Sequence, residues 1–334
     1  MDLVTTALAG NRRAIARLMT LIENGQEAAR NAIAQLYPYT GRAYLIGVTG
    51  SPGAGKSTLV SQLARAYRSA ERRVGIVAVD PTSPFSGGAI LGDRVRMRDL
   101  FTDPSVFVRS MASRGNLGGL ARATADVVKV LDATGFDPIL IETVGTGQAE
   151  LDIAQLAHTV VVVVAPGMGD DIQAIKAGIL EIADVLVVNK SDCTDAERTA
   201  AALEMMLELG SGHGARRSAL SSDFMRVAAD DASQSAAAAT DHWHPLLVKT
   251  CALVGEGIAE LVEAIAHHRQ YLETTQELGL RDLTRLVNEL ERIVRDDLMK
   301  ALLNGIDQVS LSDLVARVVA REIDPQTAAR QLIG

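Results

Sequence analysis

Two short runs of residues carry most of the chemistry open to this sequence. The first is Gly50-Ser51-Pro52-Gly53-Ala54-Gly55-Lys56-Ser57, followed by Thr58. It has GxxxxGK[ST] spacing after an apolar run and before a helical pattern. Glycines without a Cβ let the backbone curl and aim its N–H groups at phosphate oxygens. A helix opening at Lys56 adds partial positive charge at the same point. Lys56 is then placed for the β- and γ-phosphates of a nucleotide, and the Ser57 hydroxyl for Mg2+. The second run is Asn189-Lys190-Ser191-Asp192, the NKxD pattern of guanine recognition. A carboxylate at Asp192 accepts from the N1–H and the 2-amino group of guanine, a donor pair adenine lacks. A site built for such donors rejects the analogue without them. Lys190 can lie along the base, and Asn189 can tie its loop to the phosphate loop. A third loop, Thr250-Cys251-Ala252-Leu253, stands where a backbone N–H meets guanine O6. Cys251 replaces the usual serine there. It either serves the base or is a small buried residue.

Three carboxylates complete the set. The run Ile139–Ile141 leads into Glu142-Thr143-Val144-Gly145-Thr146. This has the form of a Walker B strand, with Glu142 reaching Mg2+ through water and the Gly145 N–H meeting the γ-phosphate. Thr146 stands where Ras-like enzymes carry a water-positioning Gln, so slow intrinsic hydrolysis is expected. Asp80 follows the run Val74–Val79, and Asp93 closes Gly87-Gly88-Ala89-Ile90-Leu91-Gly92. Both should face the nucleotide from the carboxyl edge of a sheet and contact Mg2+ or the attacking water. The alternative for each is a turn cap. Arg94 and Arg96 are either charge stabilisers or part of a solvated helix face. The expected catalytic set is Lys56, Asp80, Asp93, Glu142 and Gly145, and the expected metal set Ser57, Asp80, Asp93 and Glu142.

These residues need a scaffold, and the apolar pattern supplies one. Short apolar runs occur at Tyr44–Val48, Val74–Val79, Val106–Val108, Ile139–Ile141, Val160–Val164, Val185–Val188 and Leu246–Lys249. Several lack alternation, as strands buried on both faces do. Helical stretches at 56–70, 118–133, 171–182 and 195–209 lie between them. The alternation predicts an α/β fold, a P-loop NTPase with a mainly parallel sheet flanked by helices. Residues 11–36 predict two amphipathic helices. The expected division is an N-terminal helical extension (1–41), a nucleotide-binding domain (42–276) and a C-terminal helical arm (277–334). Residues 210–242, rich in Ala, Ser and Gly, read as a variable surface excursion rather than a regulatory insert. Leu283, Leu286, Leu290, Ile293, Val294, Leu298 and Leu302 form one stripe, which predicts a dimerisation arm. Gly305 should stop that helix, with two shorter helices after it, the last opening near Asp324-Pro325.

Composition removes other classes. The chain has 334 residues, 33 Lys plus Arg and 41 Asp plus Glu, a net charge of −8. That balance opposes a general nucleic-acid binder. Two cysteines, Cys193 and Cys251, give neither a disulfide framework nor a CxxC knuckle. The longest strongly apolar run, Val160 to Pro166, is far short of a membrane span. The first residues have the wrong charge order for a secretory signal. A cytoplasmic protein is expected.

Taken with Gly10-Asn11-Arg12-Arg13-Ala14, Ala78-Val79-Asp80-Pro81, Gly115-Asn116-Leu117-Gly118-Gly119 and Ile141-Glu142-Thr143-Val144-Gly145, these motifs resemble the MeaB/ArgK family of GTPases. That family includes relatives of the methylmalonic aciduria type A protein, within the SIMIBI class, and the resemblance spans nearly the whole chain. It implies a GTP-hydrolysing homodimeric chaperone that gates B12 cofactor loading and protection of an adenosylcobalamin-dependent acyl-CoA mutase. The implied cofactors are GTP/GDP and Mg2+, with no need to bind cobalamin itself. The adenosyltransferase is a second candidate partner. The resemblance carries the metal and switch roles to Ser57, Asp80, Asp93 and Glu142, and a further switch to Gly167 through Lys176. Thr82-Ser83-Pro84-Phe85-Ser86, Thr146 and Cys251 depart from the methylmalonyl-type members and leave the choice of mutase open. The competing class is a metallochaperone GTPase of the nickel-insertion type. Its metal clusters are poorly matched by His242, His244 and Cys251, whose spacing fits no standard site.

Overall fold

The apolar runs become seven strands. A computed structural model describes residues 2–81, 98–113, 119–143, 153–167, 180–210, 242–305 and 308–333. The strands are β1 (Leu45–Gly50), β2 (Val74–Pro81), β3 (Val106–Ser113), β4 (Ile139–Thr143), β5 (Thr159–Val164), β6 (Val185–Asn189) and β7 (Leu246–Thr250). They form one sheet in the order β3-β2-β4-β1-β5-β6-β7. Every pairing is parallel. β1, β4, β5 and β6 are buried along their whole length, which explains the missing alternation in their sequences.

Helices cover both faces. On one, Ile46 and Val48 of β1 cluster with Leu59 and Leu63 of α4 (Lys56–Ser69) and Leu261 and Ile265 of α7 (Ile258–Thr274). On the other, Leu45 joins Leu18 and Met19 of α2 (Arg12–Glu23), Leu36 of α3 (Glu27–Leu36), and Val127 and Leu131 of α5 (Gly119–Ala133). α6 (Ala196–Gly210) follows β6. The expected helix at 171–182 is described only over Leu180–Ile182, and residues 211–241 lie outside the described part.

The N-terminal layer holds one helix more than expected, α1 (Leu3–Leu8). Six residues cannot sustain a helix alone. Burial of Val4 and Ala7 against the helices that follow holds it. Asn11 caps α2 by accepting from the Arg13 and Ala14 amides. Arg12 then reaches across to the start of the edge strand β3. Its guanidinium donates to the carbonyls of Asp103, Pro104 and Val106 at 3.1, 3.0 and 2.7 Å and lies over the Phe107 ring.

A buried polar network closes the amino end of the sheet. Asp184, just before β6, accepts from the Val160 amide at 2.8 Å and from both terminal nitrogens of Arg281 at 3.0 and 3.1 Å. Trp243 donates its indole N–H to the Asp184 carbonyl at 2.8 Å. His158 accepts the Leu45 amide at Nδ1 (3.1 Å), and its Nε2 lies 3.0 Å from Asp282. Tyr44 shares a 2.6 Å hydrogen bond with Thr159, and burial pushes its phenol up to about 12. Arg281 and Asp282 belong to the first turns of α8 (Glu277–Gly305).

The described residues through Arg285 form one compact unit, and those from Leu286 onward a second. The second holds the rest of α8, α9 (Gln308–Val319) and α10 (Pro325–Ile333). Asp324 caps α10 through the Gln326 and Thr327 amides, with Pro325 at the first helical position. Of the expected stripe along α8, Leu283, Leu286, Leu290 and Leu298 are exposed, while Ile293, Val294 and Leu302 are half-buried.

Candidate functional site

The loop between β1 and α4 wraps the carboxyl edge of the sheet, where parallel α/β sheets place their ligands. Glycine is demanded at two of its positions. Gly50 has φ +132°, and a Cβ there would lie 2.0 Å from the Val163 carbonyl oxygen. Gly55 has φ +90°, and a Cβ there would lie 2.4 Å from Asn189 Nδ2. Lys56 opens α4, is buried, and donates to the Gly50 and Ser51 carbonyls at 2.6 and 2.8 Å. Its ammonium thus lies within the loop it would serve.

Beside it, Ser57 donates its hydroxyl to Glu142 Oε1 at 2.6 Å. Both side chains are buried. A hydroxyl and a carboxylate meeting next to a phosphate loop are hard oxygen donors that suit Mg2+. The other expected metal and catalytic positions lie wholly or partly outside the described residues. Asp80 lies in β2, paired in register with Ala112, and its side chain lies outside the described part. Asp93, Arg94, Arg96, Gly145, Thr146 and most of the Gly167–Lys176 segment also lie outside it. Among the described residues no group of three His, Cys, Asp or Glu side chains is arranged to hold a metal ion.

Asn189 binds three loops together. Its Nδ2 donates to the Ala54 carbonyl of the phosphate loop at 2.8 Å. Its Oδ1 accepts from the Thr250 hydroxyl at 3.1 Å and from the Ala252 amide at 3.0 Å. The Asn189↔Thr250 register of β6 and β7 makes this possible. The Ser191 amide donates to the Thr250 carbonyl at 3.0 Å. Lys190 takes a positive φ of 60° at the turn out of β6. Lys190 and Asp192 are both exposed at the rim, available to a ligand. Cys251 is buried, and its thiol donates to Asp192 Oδ1 at 3.2 Å. Burial, and then the neighbouring Asp192, push that thiol up. Cys251 is therefore a small buried residue, and its thiol ties the Thr250–Leu253 loop to Asp192.

These loops enclose a cavity of about 810 Å3. Its phosphate end is lined by Gly53, Gly55, Lys56, Ser57 and Glu142, and its other end by Asn189, Lys190, Asp192 and Leu253. Gln62 and Arg65 of α4 also line it. Nothing in their spacing along α4 marks either of them in the sequence.

The sheet order, the loop and the cavity define a P-loop nucleotide-binding protein of the GTPase class. The match to a family model over residues 15–307, described as methylmalonyl-CoA mutase-associated GTPase MeaB, goes further. The chain belongs to this MeaB/ArgK family and is a P-loop GTPase. A protein of Pyrococcus abyssi is 44% identical over 99% of this chain and 95% of its own length, and the Escherichia coli protein described as GTPase ArgK is 31% identical over 97% of this chain and 92% of its own. A mouse protein described as a mitochondrial methylmalonic aciduria type A homolog is 31% identical, over 85% of this chain and 66% of its own. A crystal structure described as a LAO/AO transport system kinase shares the fold, with a TM-score of 0.71 at 24% identity. That match covers 99% of this chain and 95% of the other.

Proposed function

We propose that this chain binds GTP and GDP in the cavity between the phosphate loop and the two base loops and hydrolyses GTP with Mg2+. We further propose that it uses that cycle to gate cofactor loading and protection of an adenosylcobalamin-dependent acyl-CoA mutase. The observation that carries the nucleotide reading is Asn189. One side chain joins the phosphate loop, the NKxD loop and the Thr250–Leu253 loop, so phosphate and base are read by one preorganised unit. The mutase reading rests on the family description and on the name of the mouse relative.

Within the site, Lys56 and the loop amides hold the β- and γ-phosphates, and Asp192 accepts from guanine. Ser57 and Glu142 would hold Mg2+, which supplies charge neutralisation on the phosphates. Asp80 and Asp93 are each assigned to the metal or the attacking water, and the Gly145 N–H to the γ-phosphate. The exposed leucines of α8 support a homodimer, since a stripe of this kind marks an interaction surface. The direct test is turnover of GTP against ATP by the purified chain with and without Mg2+. Selective, Mg2+-dependent release of phosphate from GTP is expected, and equal use of ATP would overturn the base assignment.

A further inference from the structure

One side chain on the phosphate-loop helix reaches the loop that reads the base. Gln62 lies on α4, which Lys56 opens. Its Nε2 donates to the Ala252 carbonyl at 2.9 Å. Its Oε1 lies 3.5 Å from Arg65 Nη1, and only the amide nitrogen can donate to a carbonyl, so Nε2 is the end that faces the loop. Ala252 is buried, with 2% of its surface exposed, and both of its backbone polar groups are taken up by side chains from elsewhere. Asn189 takes its N–H and Gln62 its carbonyl. The next residue, Leu253, is 82% exposed and lines the cavity. The amides of Val254 and Gly255 both go to the Cys251 carbonyl. The Ala252, Val254 and Gly255 amides are committed to oxygens, whereas the Leu253 amide meets the Cys251 sulfur, a weak acceptor that a base carbonyl can replace, so it is the donor this loop can offer to a base. A peptide group is planar and trans, so holding the Ala252 carbonyl also fixes the direction of the Leu253 N–H.

We propose that Gln62 is a positioning residue for guanine recognition, clamping the Ala252–Leu253 peptide so that its N–H is presented to the base. The inference rests on the guanine reading of the NKxD loop. Without Gln62 the buried Ala252 carbonyl loses its partner and the peptide is free to rotate. The phosphate loop keeps its own contacts, because Lys56 and Ser57 bond to other groups.

The test measures binding of GDP, xanthosine diphosphate and inorganic pyrophosphate, each by displacement of a fluorescent guanine nucleotide, in the full chain. Gln62→Leu removes the donor at similar volume. Gln62→Glu keeps the shape but sets a carboxylate against a carbonyl. Both variants should bind GDP about three- to tenfold more weakly, the range for one lost hydrogen bond, and pyrophosphate as the parent does. Unchanged GDP affinity in both, or an equal loss for GDP and pyrophosphate, would overturn the proposal. Asp192→Asn serves as the control. If it still prefers GDP to xanthosine diphosphate, the guanine reading itself fails. If it switches while the Gln62 variants bind GDP normally, only the Gln62 inference falls.

Discussion

The Ser57 hydroxyl and the Glu142 carboxylate meet at 2.6 Å where the end of β4 faces the first turn of α4. Both are buried, so a change at either is felt directly by the other. Glu142→Gln keeps the volume and a hydrogen bond to Ser57 but removes the charge. It should lower GTP turnover by about 10²-fold while leaving GDP binding without Mg2+ close to that of the parent. Single-turnover hydrolysis and a metal-free binding titration check the two halves.

Lys56 follows the same logic with a different failure. Lys56→Ala removes the only cation set inside the phosphate loop among the described residues. Turnover should fall by about 10²- to 10³-fold. A variant with normal turnover would take the loop out of the mechanism.

Gly55 and Asn189 touch so closely that no side chain fits between them. In Gly55→Ala the new Cβ would lie 2.4 Å from Asn189 Nδ2, at a φ of +90°. The backbone strain alone costs about 1–2 kcal/mol, and the Asn189–Ala54 bond must give way. Reduced thermal stability and a loss of both guanine and phosphate affinity are expected. A calorimetric scan and a GDP titration read them.

The network at the amino end of the sheet sets a pH dependence. Burial holds the His158 imidazole below its usual range, against the hydrogen bond to Asp282, which pulls the other way. For Asp282, burial raises the carboxyl, but the bond to His158 and the charge of Arg285 leave it lowered overall. In both cases the unfolded chain binds protons more readily than the folded one. The stability each contributes is present above its unfolded value and is lost as pH falls through the folded value. Denaturation midpoints should therefore drop as pH falls below about 6.5, and less so in His158→Phe. Trp243, the sole tryptophan, packs on His268 and bonds to Asp184, so its fluorescence reports the loss of this network.

The α8 stripe makes a claim about assembly. Leu290→Glu with Leu298→Glu places charges on two exposed leucines and should convert a dimer into a monomer by light scattering at micromolar concentration. A parent chain that is already monomeric would contradict the dimer.

Much of this architecture could be seen before any coordinates. Buried parallel strands announce themselves as unbroken apolar runs, and the β1–α4 loop is a local pattern whose glycines are needed by backbone geometry. Asn189, Lys190 and Asp192 were legible for the same reason, since their strand and loop are contiguous. Contacts between distant segments were not. Gln62 meets Ala252 across 190 positions and Arg281 meets Asp184 across 97, and neither pairing leaves a periodic trace. The helix α1 leaves no clear sequence signal because its stability comes from burying Val4 and Ala7, not from a cap or a long stripe.

If a guanine-nucleotide cycle in this chain serves an acyl-CoA mutase, the two proteins should associate in a nucleotide-dependent way. Affinity capture from the native cell, with GDP and with a non-hydrolysable GTP analogue, tests it most directly. An adenosylcobalamin-dependent acyl-CoA mutase subunit is expected in the eluate, in amounts that change with the nucleotide. Recovery of a hydrogenase or urease component, or of a mutase bound equally in both states, would contradict it.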